Sequence, residues 1–189
     1  MKNSTLKTLQ DTNLASNASN AITATKLREF TSELVKHSGG FVSYTNANST
    51  PQNISAETFT QLTFDTSGGS NVTSYAPYYI ETALIASNAI QIDGIADGSV
   101  INGRFLCTVV TGSSNVDVRI EARFKNSGGT TIFTYPFVNQ SFKASGSHTI
   151  SATGLFYVDP TLQGGTIEFY IRTDATSTAL WNSIMLDIR

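Results

Sequence analysis

The stretch VDVRIEARF, residues 116–124, alternates apolar and charged side chains without a break. Successive side chains of a β-strand point to opposite faces of the sheet, so this pattern predicts a strand with one buried and one solvated face. The same alternation returns in IEFYIR, residues 167–172, with Ile167, Phe169 and Ile171 on the inner side. The inner set of the first stretch is Val116, Val118, Ile120, Ala122 and Phe124.

Short runs of β-forming residues, separated by turn residues, extend this pattern to both sides. Turn peptides such as GSSN, NSGG and LQGG lie between the runs. Their number and spacing predict a mainly β protein, in which residues 41–189 form an antiparallel jelly-roll β-sandwich head. The predicted strands lie near residues 41–45, 58–64, 78–86, 99–111, 116–125, 130–138, 147–158, 165–173 and 179–188.

One amphipathic helix is predicted ahead of the first strand, within residues 23–40. Thr23 is a suitable N-cap, and the glycines 39–40 form a C-terminal stop. A helix of about four turns is marginal by itself, so its apolar side must pack on something. The sequence leaves open whether it seeds a parallel trimer or packs on its own β domain. The apolar stripe consists of Leu27, Phe30, Leu34 and Val35.

Residues 1–22 form a polar, extended N-terminal arm with isolated apolar residues. Such a segment is too sparse in apolar side chains to fold alone. It is either a disordered tail or an anchor that becomes ordered on a partner protein, and both interpretations stay open. The particle-anchoring residues of the second interpretation are Leu6, Leu9, Leu14 and Ile22.

Composition narrows the function classes. Charged residues make up 14% of the chain, the net charge is −2 and the pI is near 5.6. Ser, Thr and Asn supply about a third of the residues, so the surface is polar without being charged. No basic stripe favours nucleic acid as a partner. No apolar run is long enough for a membrane span, and the N-terminus has no secretory signal pattern.

The sequence predicts no catalytic residues and no cofactor. His37 and His148 have no suggestive neighbours, and Cys107 is the single cysteine, within an apolar run typical of a buried side chain. Zinc-ligand spacing, a phosphate-binding glycine loop and a nucleophile elbow are all missing.

A weak metal candidate is DGIADG, residues 93–98, because Asp93 and Asp97 with neighbouring carbonyl groups are the ligands that calcium prefers. The further acidic ligands that calcium needs are missing nearby. A double turn between two strands is therefore the favoured interpretation, and no metal site is predicted.

A second candidate is the loop SGGSNVTSYAPYY, residues 67–79. Its aromatic and amide side chains are typical of surfaces that hold sugars or protein partners. The alternative is that Tyr78 and Tyr79 open a strand. The ligand-loop residues are Asn71, Tyr75, Tyr78 and Tyr79.

The layout resembles small virion proteins of tailed bacteriophages: fibre, spike and head-decoration proteins. The matching residues are ITATKLREF, residues 22–30, followed by Gly39 and Gly40. The head resembles the trimeric jelly roll of tumour-necrosis-factor-like and complement-globular-head-like domains, and it likewise finishes on a strand, WNSIMLDIR, residues 181–189. The resemblance implies a homotrimer on the virion surface, made in the host cytoplasm, with a capsid or tail protein as partner and no catalysis.

Two points stay open within this resemblance. Trp181, Phe169, Tyr170 and Phe156 are candidates for the contact between copies, although a monomer core would use the same residues. The predicted function is a non-enzymatic spike or cement-like decoration protein. The alternatives are a tail-fibre tip that recognises host surface glycan and a free carbohydrate-binding module.

Overall fold

The computed structural model describes Leu27 and residues 39–67, 71–76, 84–93, 95 and 97–189. The predicted arm, residues 1–22, and most of the predicted helix lie outside these residues. Eleven strands and one short 3-10 helix are described. They are β1 Gly40–Thr45, β2 Gln52–Ile54, β3 Thr60–Gln61, β4 Ile85–Ala86, β5 Ala89–Gln91, β6 Val100–Thr111, β7 Val116–Lys125, β8 Thr131–Phe142, β9 Gly146–Tyr157, the 3-10 helix Pro160–Leu162, β10 Thr166–Thr173 and β11 Ser177–Ile188.

The strands form two antiparallel sheets. Sheet A has the order β1-β11-β6-β9, and β2 also pairs with β11. Sheet B has the order β4-β5-β10-β7-β8, and β3 also pairs with β10. From β8 onward the chain passes from one sheet to the other at each connection, which is the jelly-roll form of a sandwich. The predicted mainly β, antiparallel sandwich is confirmed.

The core lies between the sheets and is rich in aromatic side chains. The Trp181 ring centroid lies 4.7 Å from that of Phe64, 5.3 Å from Phe105 and 5.1 Å from Phe169. Phe105 and Phe169 are themselves 5.1 Å apart. Tilted and edge-on arrangements at these separations are favourable for aromatic rings. Sheet A supplies Trp181 and Phe105 and sheet B supplies Phe169, so this cluster joins the two sheets.

The predicted alternation of 116–124 is confirmed by the burial of its side chains. The apolar set of β7 is buried, and so are Ile167, Phe169 and Ile171 of β10. Of the aromatic residues predicted at a contact between copies, Trp181, Phe169 and Phe156 lie in the core of the protomer, which was the alternative. Tyr170 is partly exposed on the opposite side of sheet B.

The strand predictions miss two short elements, β2 and β5. β5 follows a tight two-residue turn, in which Ser87 and Asn88 both have positive φ angles of 51° and 64°. Two consecutive positive φ angles match the hairpin turn that joins twisted strands, but Ser is a weak signal for it. The Asn88 side chain also accepts a 2.8 Å hydrogen bond from the backbone N–H of Phe64, which no local pattern predicts.

Two predicted strands are shorter than expected, and one is longer. The 58–64 run pairs only over Thr60–Gln61, and the described part of the 78–86 run pairs over Ile85–Ala86. β8 continues four residues beyond the predicted end at 138. β1 begins at Gly40, so one of the two glycines predicted as a helix stop is already paired, with Ile188.

Candidate functional site

Five large apolar side chains are exposed together where β8 and β9 lie side by side. Leu155 is 73% exposed, Tyr157 60% and Phe133 56%, while Ile132 and Tyr135 are both 43% exposed. All five line one cavity of about 460 Å³. We call these five residues the rim. A contiguous exposed apolar patch on a soluble domain is typical of an interaction surface.

The rim combines side chains from two edge strands. Leu155 and Tyr157 of β9 lie on the outer face of sheet A, opposite the exposed residues Asn102 and Val100. Phe133 and Tyr135 lie opposite buried residues of β7 and are exposed because β8 is an edge strand. In the described structure β8 pairs only with β7, and β9 pairs only with β6. The opposite edge of sheet A is covered, because Val72 exchanges two backbone hydrogen bonds with Ser43 of β1, of 2.8 and 2.9 Å. Long uncovered edge strands favour contact with another chain.

The shape of β8 favours contact through side chains over extension of the sheet. Pro136 lies opposite Glu121 at a register shift, and proline has no N–H to donate to a further strand. Phe137 turns inward and lies 5.3 Å from the Phe169 ring. A Cβ on Gly154 would lie 2.6 Å from Cε2 of Phe137, so glycine is required for this packing of β8 over β9.

A single carboxylate stands among the apolar groups of the rim cavity. Among the described residues that line it, Asp159 is the only charged one. Its Oδ1 accepts a 2.9 Å hydrogen bond from the backbone N–H of Thr161 and a 2.6 Å hydrogen bond from the Thr161 hydroxyl. Asp159 is thereby the N-cap of the 3-10 helix. These hydrogen bonds lower the pKa of Asp159, the hydroxyl contributing most. The carboxylate is therefore held charged and in a fixed orientation.

The outer face of sheet A, which points away from sheet B, is almost uncharged. Arg104 of β6 is exposed on it, opposite Met185 of β11 and Thr153 of β9. Asp187 is paired with Arg189 at 2.9 Å. The uncharged side chains around Arg104 are Asn102, Leu106, Thr153, Leu155 and Met185.

The outer face of sheet B has the opposite character. Lys125 Nζ and the Tyr170 hydroxyl both lie 2.7 Å from Oε2 of Glu168. Arg123 forms an ion pair with Glu121, and its guanidinium carbon lies 3.8 Å from the centroid of the Tyr170 ring. The hydrogen bond that Lys125 donates to Glu168 raises the pKa of Lys125. Burial, and then the bond to Glu168, raise the pKa of Tyr170. These groups satisfy one another, as expected of a solvated face.

The structure places two of the four predicted ligand-loop residues. The Asn71 amide donates a 2.8 Å hydrogen bond to the carbonyl of Thr66, within its own loop. Tyr75 is 68% exposed, and its carbonyl accepts from Phe41 N. With Phe41, Asp187 and Arg189 it lines an open cavity of about 710 Å³. Tyr78 and Tyr79 lie outside the described residues, so the ligand loop stays a prediction.

The two aspartates of the weak metal candidate, Asp93 and Asp97, are exposed between β5 and β6. In the part of the chain that the structure describes, no group of three or more His, Cys, Asp or Glu side chains is placed to hold a metal ion. Residues 94 and 96 are not described.

Most residues predicted to anchor or trimerise the chain lie outside the described residues. This holds for Leu6, Leu9, Leu14, Ile22, Phe30, Leu34 and Val35. Leu27 is helical and 53% exposed. Among the described residues, no helix is long and apolar enough to cross a membrane.

His148 and Cys107, two side chains of types that often act in catalysis, are held by packing in this structure. The His148 ring stacks on Phe142 at 4.0 Å, and its Nε2 donates to the carbonyl of Ala144 at 3.0 Å. Cys107 is fully buried, and burial raises the pKa of its thiol to about 12. A thiol with this pKa stays protonated, so it is a poor nucleophile and metal ligand. His37 lies outside the described residues.

Sequence reasoning did not find the rim. The alternation predicts strands that contain Phe133, Tyr135, Leu155 and Tyr157, but it does not show that those strands are edges. The proline within β8 was an available signal, because proline inside a strand is confined to edges and bulges.

Comparisons with known proteins identify the fold. No protein-family model and no curated protein sequence matches the chain. Particles derived from infectious bursal virus contain a chain with a TM-score of 0.51 at 12% identity, covering 80% of this chain and 32% of that chain. The VP2 subviral particle of infectious bursal disease virus gives 0.50 at 12% identity, over 80% and 33%. The chain thus spans about a third of the length of these viral proteins.

At such identities the similarity shows a shared fold, a β-sandwich that also occurs in viral particles. The Eiger tumour-necrosis-factor protein of S. frugiperda has a TM-score of 0.47 at 8% identity, over 79% of this chain and 91% of that chain. This score is too low to assign the head to that class, so the tumour-necrosis-factor-like and bacteriophage assignments stay predictions.

Proposed function

We propose that the chain is a non-enzymatic structural protein of a virus particle, which assembles as a homotrimer through the rim and is anchored by its N-terminal arm and helix. The observation that carries this proposal is the exposed rim. Its five side chains expose roughly 500 Å² in total, since a large aromatic side chain offers about 150–250 Å². That is at the upper end for the largest apolar patch of a typical monomer.

Two further observations support a particle-surface role. The fold is shared with proteins found in particles of infectious bursal disease virus. The low charge and the high content of Ser, Thr and Asn suit a head that faces solvent while its apolar surfaces are covered by identical copies. Attachment of the arm to a capsid or tail protein would need weak contacts only, because three arms act together.

The test is the mass of the full chain in solution, measured by light scattering. A homotrimer should have three times the chain mass of 20.3 kDa. Leu155→Asp with Tyr157→Asp should weaken the trimer at least about a hundredfold, since each buried side chain contributes about 1.5–3 kcal/mol. The control is Thr134→Asp with Asn139→Asp, which adds the same charges on the outer side of β8.

An antibody against the chain should also label the surface of purified particles. A monomeric wild-type chain would contradict the proposal. The exposed Tyr75 and the cavity beside it would then favour the second candidate, a glycan-binding domain.

A further inference from the structure

The part of sheet A centred on Arg104 has an unbalanced charge. We call it the Arg104 face, with Asn102, Arg104 and Leu106 of β6 and Met185 and Asp187 of β11. Arg104 is exposed and has no ion pair among the described residues, whereas Asp187 is already paired with Arg189. The remaining side chains of the face are uncharged.

The rim cavity has the opposite imbalance. Asp159 is its single charged residue, and its hydrogen bonds come from Thr161 alone, with no cation paired to it within the described part of the chain. Covering the rim with an apolar partner would bury this carboxylate without compensation, which is strongly unfavourable. A partner that covers the rim must therefore bring a cation to Asp159.

A second copy of this chain meets that requirement. We propose that the rim of one copy packs on the Arg104 face of the next copy, with the Asp159 carboxylate bonded to the Arg104 guanidinium. This inference rests on the proposed self-association and assigns the two surfaces that carry it. Each surface is mainly uncharged, and each has one charge that no described residue pairs: Asp159 in the rim cavity and Arg104 on the Arg104 face.

The size and symmetry of the two surfaces agree with this pairing. The roughly 500 Å² exposed by the rim, together with its polar border, approaches the area of about 800 Å² that one partner contributes to a standard interface. The rim adjoins the Arg104 face where Leu155 lies opposite Asn102, but the two consist of different residues. A contact between them is therefore head-to-tail, and every copy makes it when the copies close into a ring.

A charge-reversal cycle on the full chain tests this contact. Asp159→Arg and Arg104→Asp should each raise the dissociation constant of the oligomer at least about tenfold, and the double variant should return it to within about threefold of wild type. The control is Arg119→Asp, the same charge change at an exposed arginine of sheet B, which should leave the dissociation constant unchanged.

Asp159 also caps the 3-10 helix, so a separate variant isolates its charge. Asp159→Asn keeps a side-chain oxygen that can accept from the Thr161 N–H, and it should still weaken the oligomer. Loss of the cap is common to Asp159→Arg and to the double variant, so recovery in the double variant reports the contact between copies and not folding.

The outcomes separate this inference from the proposed function. A monomeric wild-type chain overturns both the proposed homotrimer and the Asp159–Arg104 contact. If the rim substitutions also lower the melting temperature of that monomer, the N-terminal segment of the same chain covers the rim. An oligomeric wild type that tolerates either reversal, or that is not restored in the double variant, overturns the Asp159–Arg104 contact while self-association stands.

Discussion

The outer faces of the two sheets are built by the same alternation of strand residues, yet they differ in charge. On sheet B, three ion pairs form among the described residues: Lys125 with Glu168, Arg123 with Glu121, and Arg172 with Glu57. Arg119 of the same face lies opposite Arg172 and has no ion pair with a described residue. On sheet A, uncharged side chains surround Arg104 and extend to the apolar rim. A face that stays in water gains from paired surface charges, whereas a face covered by another chain gains from apolar area. Under the proposed self-association, sheet A is therefore the side of the sandwich that we expect to meet the next copy.

The largest effect should come from the core that both sheets share. Trp181→Ala should lower the free energy of unfolding by about 3–5 kcal/mol, because it removes a buried ring that contacts Phe64, Phe105 and Phe169. Chemical denaturation measures this, in the background of Leu155→Asp with Tyr157→Asp so that association does not contribute.

Tyr157→Ala in the otherwise wild-type chain is the matched control for Trp181→Ala. It should lower the mass of the assembly with little change in the stability of the protomer. An unchanged unfolding energy for Trp181→Ala, together with a lower mass of the assembly, would place Trp181 at the contact between copies and erase the distinction between core and rim.

A smaller effect is expected from the charged face of sheet B at alkaline pH. The folded state raises the pKa of Lys125 above 10.5 and that of Tyr170 above 10.0, so both groups keep their protons longer when folded. Stability is then fully present below about pH 10 and falls as the pH rises through these raised pKa values. Melting temperatures between pH 8 and about 11 should show a smaller decline for Glu168→Gln than for wild type.

Glu57→Gln is the control for that pH series, because its partner Arg172 stays charged throughout. At neutral pH, Glu168→Gln should cost less than about 1 kcal/mol, since the ion pair is partly exposed. Equal pH slopes for wild type and Glu168→Gln would show that Glu168 does not set the pKa of Lys125 or Tyr170.

The smallest effect is a slight stabilisation. Arg119 lies directly opposite Arg172, and like charges in that position destabilise a sheet. Arg119→Thr should raise the stability of the protomer by about 0.2–0.5 kcal/mol, or about 1 °C in melting temperature. Arg104→Thr on sheet A, where the opposite residues are Met185 and Thr153, should give no such gain. Equal gains from both would remove the electrostatic difference between the faces.

The fold was predictable from the sequence where burial follows alternation. β7 and β10 have the inner residues that their patterns predict, and the turn after β7 contains the expected glycines, with Gly129 at a φ of 77°. β5 was not predictable, because it depends on the Asn88 turn and on pairing with Ile167, more than 70 residues away. The rim was not predictable from the sequence, although its residues lie in predicted strands, because the strand patterns do not show which strands are edges.

The sequence by itself determined that this chain forms a sandwich of antiparallel strands. Apolar residues at every second position of a strand are a local pattern, and that pattern shows which side chains are buried. The sequence also determined a polar surface of low charge. Only the tertiary structure decided that β8 and β9 are neighbouring edges, that Trp181 and Phe169 fill the core, and that no described residue forms an ion pair with Arg104 or Asp159. The physical reason is that strand order depends on pairings between residues far apart in the chain, so no local pattern tells an edge from a centre.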